Sequence, residues 1–206
     1  MTHYPINLDL TGKKAVVVGG GHVASRRIAF LLQSNACVSV VSPDVSNAIN
    51  QFIENRQVTW YRKNFEPEDI IDAFIVIAAT NDKDVNRQIA DSAGSRQLVN
   101  VVSQPELGNF EVPAVLKRGK LTISVSTNGA SPSLAKKIRD NLSDRFDESY
   151  DDYLEFLFTC RKKIQESSLP IEDKKTILNK LLDPVYQNPQ IQDEILASFE
   201  AFIEDY

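Results

Sequence analysis

Apolar and polar positions follow two different rhythms along the first hundred residues. Val16 to Val18 is a continuous apolar run, Val23 to Ser34 carries Ala24, Ile28, Leu31 and Leu32 at helical spacing, and "CVSVV" at 37–41 is apolar again. The series continues with a helical pattern around Val45 to Asn55, strands "VTWY" at 58–61 and "AFIVIAAT" at 73–80, a helix "DVNRQIADSAG", and "LVNVV" at 98–102. Alternation of this kind predicts an α/β fold, a Rossmann-like and mainly parallel sheet with helices on both faces, because parallel neighbours need crossover connections. Beyond residue 103 the rhythm changes: "NFEVPAVLKRGKLTISVST" reads as strand, basic turn and strand. A polar turn at Asn128-Gly129 and a helix opened by Ser131-Pro132 follow, serine serving as cap and proline suiting the first turn. The tail is helical. "DESYDDYLEFLFTCRKKIQES" repeats Tyr150, Leu154, Leu157 and Phe158 at helical spacing, Pro170 opens the next helix, and "IQDEILASFEAFIEDY" after Pro189 reads as one more. These segments predict a small bundle with the aromatic stripes as its core.

Charge sharpens these divisions. Between Pro113 and Arg139 stand six basic residues (Lys117, Arg118, Lys120, Lys136, Lys137, Arg139) and no acidic one, whereas Ser143 to Tyr206 holds fifteen Asp and Glu against seven Lys and Arg. The chain thus changes character near residue 142, a candidate domain boundary, and the expected organisation is 1–112, 113–145 and 146–206. At 206 residues, 42% of them hydrophobic, the chain can bury a real core, and its net charge of -5 argues against a nucleic-acid partner. No apolar run approaches a membrane span, and the N-terminus lacks the basic-then-apolar order of a signal peptide, so a cytoplasmic protein is expected. Cys37, Cys160, His3 and His22 have no zinc-site spacing, so no metal is expected and both cysteines are read as reduced and packed.

"KKAVVVGGGHVASRRIAFLL" sets three glycines where a strand stops and a helix begins. Gly19, Gly21 and Ala24 fit the G-x-G-x-x-G/A pattern of dinucleotide binding, one glycine for the tight turn, a second for close approach of a pyrophosphate, and a small third residue for packing of helix on strand. The anion would rest on a helix N-terminus, where free N–H groups and the helix dipole favour it. Glycines also occur at such turns for steric reasons alone. The second strand ends "VVSPD"; Asp44 is the nearby acidic candidate for the adenosine ribose, two residues late, with Ser42 and backbone groups as the alternative and a plain Ser-Pro-Asp turn as the other account. No arginine follows immediately to pair a 2′-phosphate, which favours NAD over NADP. The acid-free segment is either a solvated hairpin turn and helix end or a collector of a polyanionic substrate.

The combination "VVVGGGHVASRR", "VVSPD", "AATND", "NVVSQPELGNFEVPA" and "ISVSTNGASPSLAKKIR", in order over residues 5–145, resembles the siroheme synthase N-terminal family, in particular its stand-alone bacterial precorrin-2 dehydrogenases. The resemblance implies NAD-dependent oxidation of precorrin-2, a polycarboxylate tetrapyrrole, to sirohydrochlorin on the route to siroheme. It implies a Rossmann domain, a central segment that dimerises and completes the active site, and a helical C-terminal domain. By motif, Gly19, Gly21, His22 and Val23 lie where the family binds the pyrophosphate, and Ser42, Pro43 and Asp44 where it binds the adenosine. Thr80, Asn81, Asn100 and Val101 lie near the nicotinamide end, Ser126 and Thr127 match hydroxyl residues bearing on the active site, and Lys117, Arg118, Lys120 and Lys136 are the candidate substrate contacts.

One position departs from the pattern. After "NVV" the bifunctional dehydrogenase/ferrochelatases carry an aspartate treated as the acid/base of both reactions, where this chain has Ser103. A serine is a poor base near neutrality, and metal insertion must take protons from pyrrole nitrogens, so a dehydrogenase with weak or absent chelatase activity is expected, with a separate chelatase downstream. Two alternatives stay open at this point: a bifunctional enzyme using another carboxylate, and a non-catalytic NAD-responsive regulator, since a fold does not fix a function. His22 and the Ser126-Thr127 pair also have plain readings, as a solvent-facing first-turn residue and as turn residues.

Overall fold

The computed structural model describes residues 3–204, which divide into two compact units meeting at Val112 and Pro113. The first unit is built on a five-stranded parallel sheet. Its elements are β1 (Lys14–Val18), α1 (His22–Gln33), β2 (Cys37–Val41), α2 (Asn47–Glu54), β3 (Val58–Tyr61), β4 (Ile75–Ala78), α3 (Lys83–Ser92) and β5 (Leu98–Val101). The strand order is β3-β2-β1-β4-β5 and every pairing is parallel. The central strands β1 and β4 are apolar nearly end to end because both their faces are covered. On one face, Ala15, Val17, Val38, Val40 and Ile77 pack against Ala24, Ile28 and Ile49 of α1 and α2. On the other, Val16, Val18, Val76 and Ala78 pack against Ile70 and Ile89.

One crossover is not an α-helix. Between β3 and β4 the chain makes only a 3₁₀ turn, Pro67–Ile70, and the face of β2 and β3 on that side is an open hollow of about 700 Å³ lined by Ser39, Thr59 and Tyr61. Cys37 belongs to the same rim and is exposed, which corrects the expectation that both cysteines are packed; Cys160 is buried, and both are free thiols. Cys37 opens β2 and shares the face of Ser39, two residues on, which lines the open hollow.

The second unit comprises a hairpin, β6 (Ala114–Arg118) and β7 (Leu121–Val125), then α4 (Pro132–Arg145), α5 (Ser149–Glu166), α6 (Ile171–Lys180), α7 (Pro189–Ala197) and α8 (Phe199–Glu204). Ser131 caps α4 by accepting from the amide of Leu134, and the preceding turn places Asn128 and Gly129 at φ 48° and 81°. The helical core gathers Tyr153, Phe156, Cys160, Ile164, Ile177, Leu181, Ile195 and Phe199. The sequence reads a single helix after Pro189; the structure breaks it at Ser198, whose φ of -128° and ψ of 44° leave the helical region. The break turns Phe199 into the core, where it is 2% exposed. Residues 205 and 206 of that expected helix lie outside the described residues. Among the described residues no helix is long and apolar enough to cross a membrane.

Candidate functional site

A parallel sheet ordered 3-2-1-4-5 reverses direction between β1 and β4, and such a switch point opens a crevice beyond the C-terminal ends of the strands. Here the crevice is a cleft of about 890 Å³ whose lining includes Gly21, Ser42, Asp44, Thr80, Asn81 and Asp82. Three separately predicted segments meet in it: the glycine loop after β1, the "SPD" turn after β2 and the "ATND" turn after β4 converge because their strands are neighbours.

The three glycines have three different duties. Gly19 has φ 120°, and a Cβ there would lie 2.4 Å from the carbonyl oxygen of Ala79, so it lets the loop cross the end of β4. Gly20, which the fingerprint passes over, is the most constrained: a Cβ would stand 1.8 Å from the Asp44 carbonyl oxygen. The loop after β2 lies directly on it, pinned by the Ser46 amide donating to Gly20 O at 2.8 Å and by Ser42 Oγ donating to Asp44 O at 2.7 Å. Gly21 faces open space, with nothing within 4 Å of a Cβ.

Gly21 is also the N-cap of α1, and no side chain caps that end. The first amides of a twelve-residue helix are therefore left for a ligand from the cleft, and the bare α-carbon beside them permits its close approach. The Ser46 Oγ, buried in the cleft lining, has no partner among the described residues. These features fit a dinucleotide pyrophosphate. His22 and Val23 start the helix but stand outside the lining, both exposed.

At the far end, Asn86 of α3 is the organising residue. It is 1% exposed; its Oδ1 accepts from the Thr80 amide at 3.2 Å and from Thr80 Oγ1 at 2.8 Å, and its Nδ2 donates to Thr80 O at 3.1 Å and to Ser103 Oγ at 3.1 Å. One buried amide thus ties the end of β4 to the turn after β5. Asp82 caps α3 through the amides of Asp84 and Val85, fixing the same turn. The sequence reading missed Asn86. Its signal was present, since Asn86 falls on the apolar stripe of α3 with Val85, Ile89 and Ala90, and a polar residue there must find a buried partner. Asn100 is buried at the end of β5; Nδ2 donates to Phe110 O at 3.1 Å while Oδ1 has no partner among the described residues. Val101 is buried beside it, and Ser103 is exposed. None of these three lines the cleft itself.

The remaining candidates lie in the second unit. Lys117 and Lys136 are exposed and form no ion pair among the described residues. Arg118 donates to Ser143 Oγ and to its neighbour's carbonyl, and Lys120 pairs with Glu155 at 3.1 Å and lies 4.2 Å from the centre of the Phe158 ring. Ser126 Oγ accepts from the Asn128 amide and Thr127 Oγ1 from the Ser131 amide, so both hydroxyls shape the turn before α4.

Comparison with known proteins gives a consistent picture. A family model described as NAD(P)-binding matches residues 6–114, one described as sirohaem biosynthesis protein central matches 118–145, and one described as SirC C-terminal domain matches 150–195. A precorrin-2 dehydrogenase of Priestia megaterium is 38% identical over 97% of this chain and 99% of its own length. A precorrin-2 dehydrogenase of Bacillus subtilis is 42% identical over 77% of this chain and 98% of its own. A solved structure titled SirC, precorrin-2 dehydrogenase, superposes with a TM-score of 0.85 at 38% identity, covering 99% of this chain and all of that one.

Proposed function

The chain belongs to the family of precorrin-2 dehydrogenases and siroheme synthases, and from that membership we propose that it oxidises precorrin-2 to sirohydrochlorin with NAD, a step of siroheme biosynthesis. The observation that carries the reading is the switch-point cleft with Gly21 bare at an uncapped helix end, in a chain that matches dedicated precorrin-2 dehydrogenases along nearly its whole length. NAD supplies a hydride acceptor when bound. The α1 amides and Gly21 would hold it to take a hydride from the substrate, whose proton would pass to the medium.

The chain's own groups hold and orient. The α1 amides and Gly21 receive the pyrophosphate, Ser42, Pro43 and Asp44 the adenosine ribose, and Thr80 and Asn81 border the nicotinamide end, Asn100 and Val101 being buried outside the lining. Ser103 already accepts the Asn86 Nδ2 hydrogen at 3.1 Å, which leaves its own proton to be donated and makes its oxygen a still poorer base. That supports a dehydrogenase whose chelatase activity is weak or absent, with a separate chelatase acting downstream. Lys117, Arg118, Lys120 and Lys136, in the acid-free segment, are the proposed contacts for the carboxylates of the tetrapyrrole. Residues 113–145 are proposed as the dimerisation and active-site segment and 146–206 as the helical domain of a cytoplasmic homodimer. Support comes from the two-stranded hairpin, whose outer edges pair with no other strand among the described residues, and from Leu134 and Ile138, 49% and 37% exposed one turn apart on α4.

The test is to mix the protein anaerobically with precorrin-2 and NAD, without metal, and follow NADH absorbance together with the sirohydrochlorin spectrum. Both rise if the proposal holds, and added iron changes nothing. Dinucleotide binding with neither signal rising overturns it in favour of a regulatory role. The Ser103→Asp variant should gain metal insertion; no gain removes the account given of that serine.

A further inference from the structure

Resting on the dinucleotide site proposed above, we infer that Arg62 is a latent anchor for a 2′-phosphate, held by Asp44, and that this pair decides between NAD and NADP. No arginine follows β2, but β3 lies beside β2 with Val41 opposite Tyr61, so the residue after β3 arrives at the same rim. That residue is Arg62. Three contacts direct its side chain: Nε donates to Pro43 O at 3.2 Å, the guanidinium lies 5.5 Å from the Trp60 ring centre, and Nη2 stands 3.5 Å from Asp44 Oδ1. Trp60 is itself fixed, its indole N–H donating to Ser42 O at 2.9 Å. Asp44 is fixed at the backbone by the loop's seat on Gly20.

The pair contributes little to folding. Both side chains are mostly exposed, and ion pairs in water are worth little. Its charges matter to a ligand instead. A ribose with free hydroxyls meets a carboxylate that accepts from them, while a 2′-phosphate meets the same carboxylate and is repelled. The guanidinium beside it is the side chain best suited to bind phosphate by two parallel hydrogen bonds, yet with Asp44 ionised its charge is cancelled. Neutralising Asp44 therefore converts the rim from phosphate-repelling to phosphate-binding, with no new residue needed.

Trp60 is the one tryptophan of the chain, and its fluorescence reports on this rim. The full-length apoprotein is titrated with NAD, NADP, ADP-ribose and 2′-phospho-ADP-ribose, the last two isolating the adenosine half. The wild type should prefer the unphosphorylated member of each pair. Asp44→Asn should tighten binding of the 2′-phosphorylated ligands about tenfold or more, and adding Arg62→Ala should abolish the gain. No gain in Asp44→Asn, or a gain that survives loss of Arg62, overturns the inference. If the wild type binds none of the four ligands, the dinucleotide reading of the cleft falls instead. Thermal melting of each variant distinguishes lost folding from lost affinity.

Discussion

A methyl group added at Gly20 would meet the Asp44 carbonyl at 1.8 Å, and one added at Gly21 would meet nothing. Gly20→Ala must therefore displace the loop after β2, lowering both melting temperature and NAD affinity. Gly21→Ala should leave the melting temperature unchanged and weaken NAD binding alone, because the added group fills only the space the pyrophosphate needs. Equal effects of the two substitutions, measured by calorimetry, would sink the division of duties. Asn86→Ala removes a buried amide that serves Thr80 and Ser103. The expected cost is about 1–3 kcal/mol of stability with a larger fall in kcat than in NAD affinity, and restoration by Gln would argue against a strict geometric role. The glycine pattern was legible because it is local. Gly20 and Arg62 were not, because their partners, Asp44 and Pro43, lie 24 and 19 positions away in sequence and meet them only when β1, β2 and β3 line up.

At the scale of elements, apolar runs identified the central strands, since a parallel strand covered on both faces has no alternative pattern, and the β-branched and aromatic residues of "VTWY" identified β3, one face of which is open. Ends were less legible: "AFIVIAAT" reads as a strand to Thr80, whereas pairing stops at Ala78 and Thr80 turns away to bond Asn86. The helix broken at Ser198 was invisible for a related reason, its cause being the burial of Phe199. Inside α5, burial pushes the Cys160 thiol from 9.0 up to about 11, against an opposing pull from Lys163. The folded state keeps this proton where the unfolded chain has released it. The stability it contributes is thus complete below the unfolded value of 9.0 and is lost as pH rises through about 11. Burial raises the Tyr153 phenol as well, with the same sign. Urea midpoints should fall over this alkaline window, and fall less in Cys160→Ala. A thiol reagent at neutral pH should label Cys37 in the native protein and Cys160 only after unfolding.

For the molecule as a whole, the proposed dimer makes a prediction about mass. Leu134→Glu with Ile138→Glu places two charges on the exposed apolar turn of α4. Sedimentation should shift from the dimer to the monomer while the circular dichroism of the helices is kept; an unchanged dimer would move the interface elsewhere. The missing helix between β3 and β4 has its own consequence. β1 and β4 are hydrogen-bonded on both sides and covered on both faces, whereas β3 is an edge strand with Thr59 and Tyr61 open to water. Solvent deuterium should therefore enter the sheet from one side, replacing the amide protons of Val58–Tyr61 through small openings long before those of Val16–Val18, which exchange only when the entire unit comes apart.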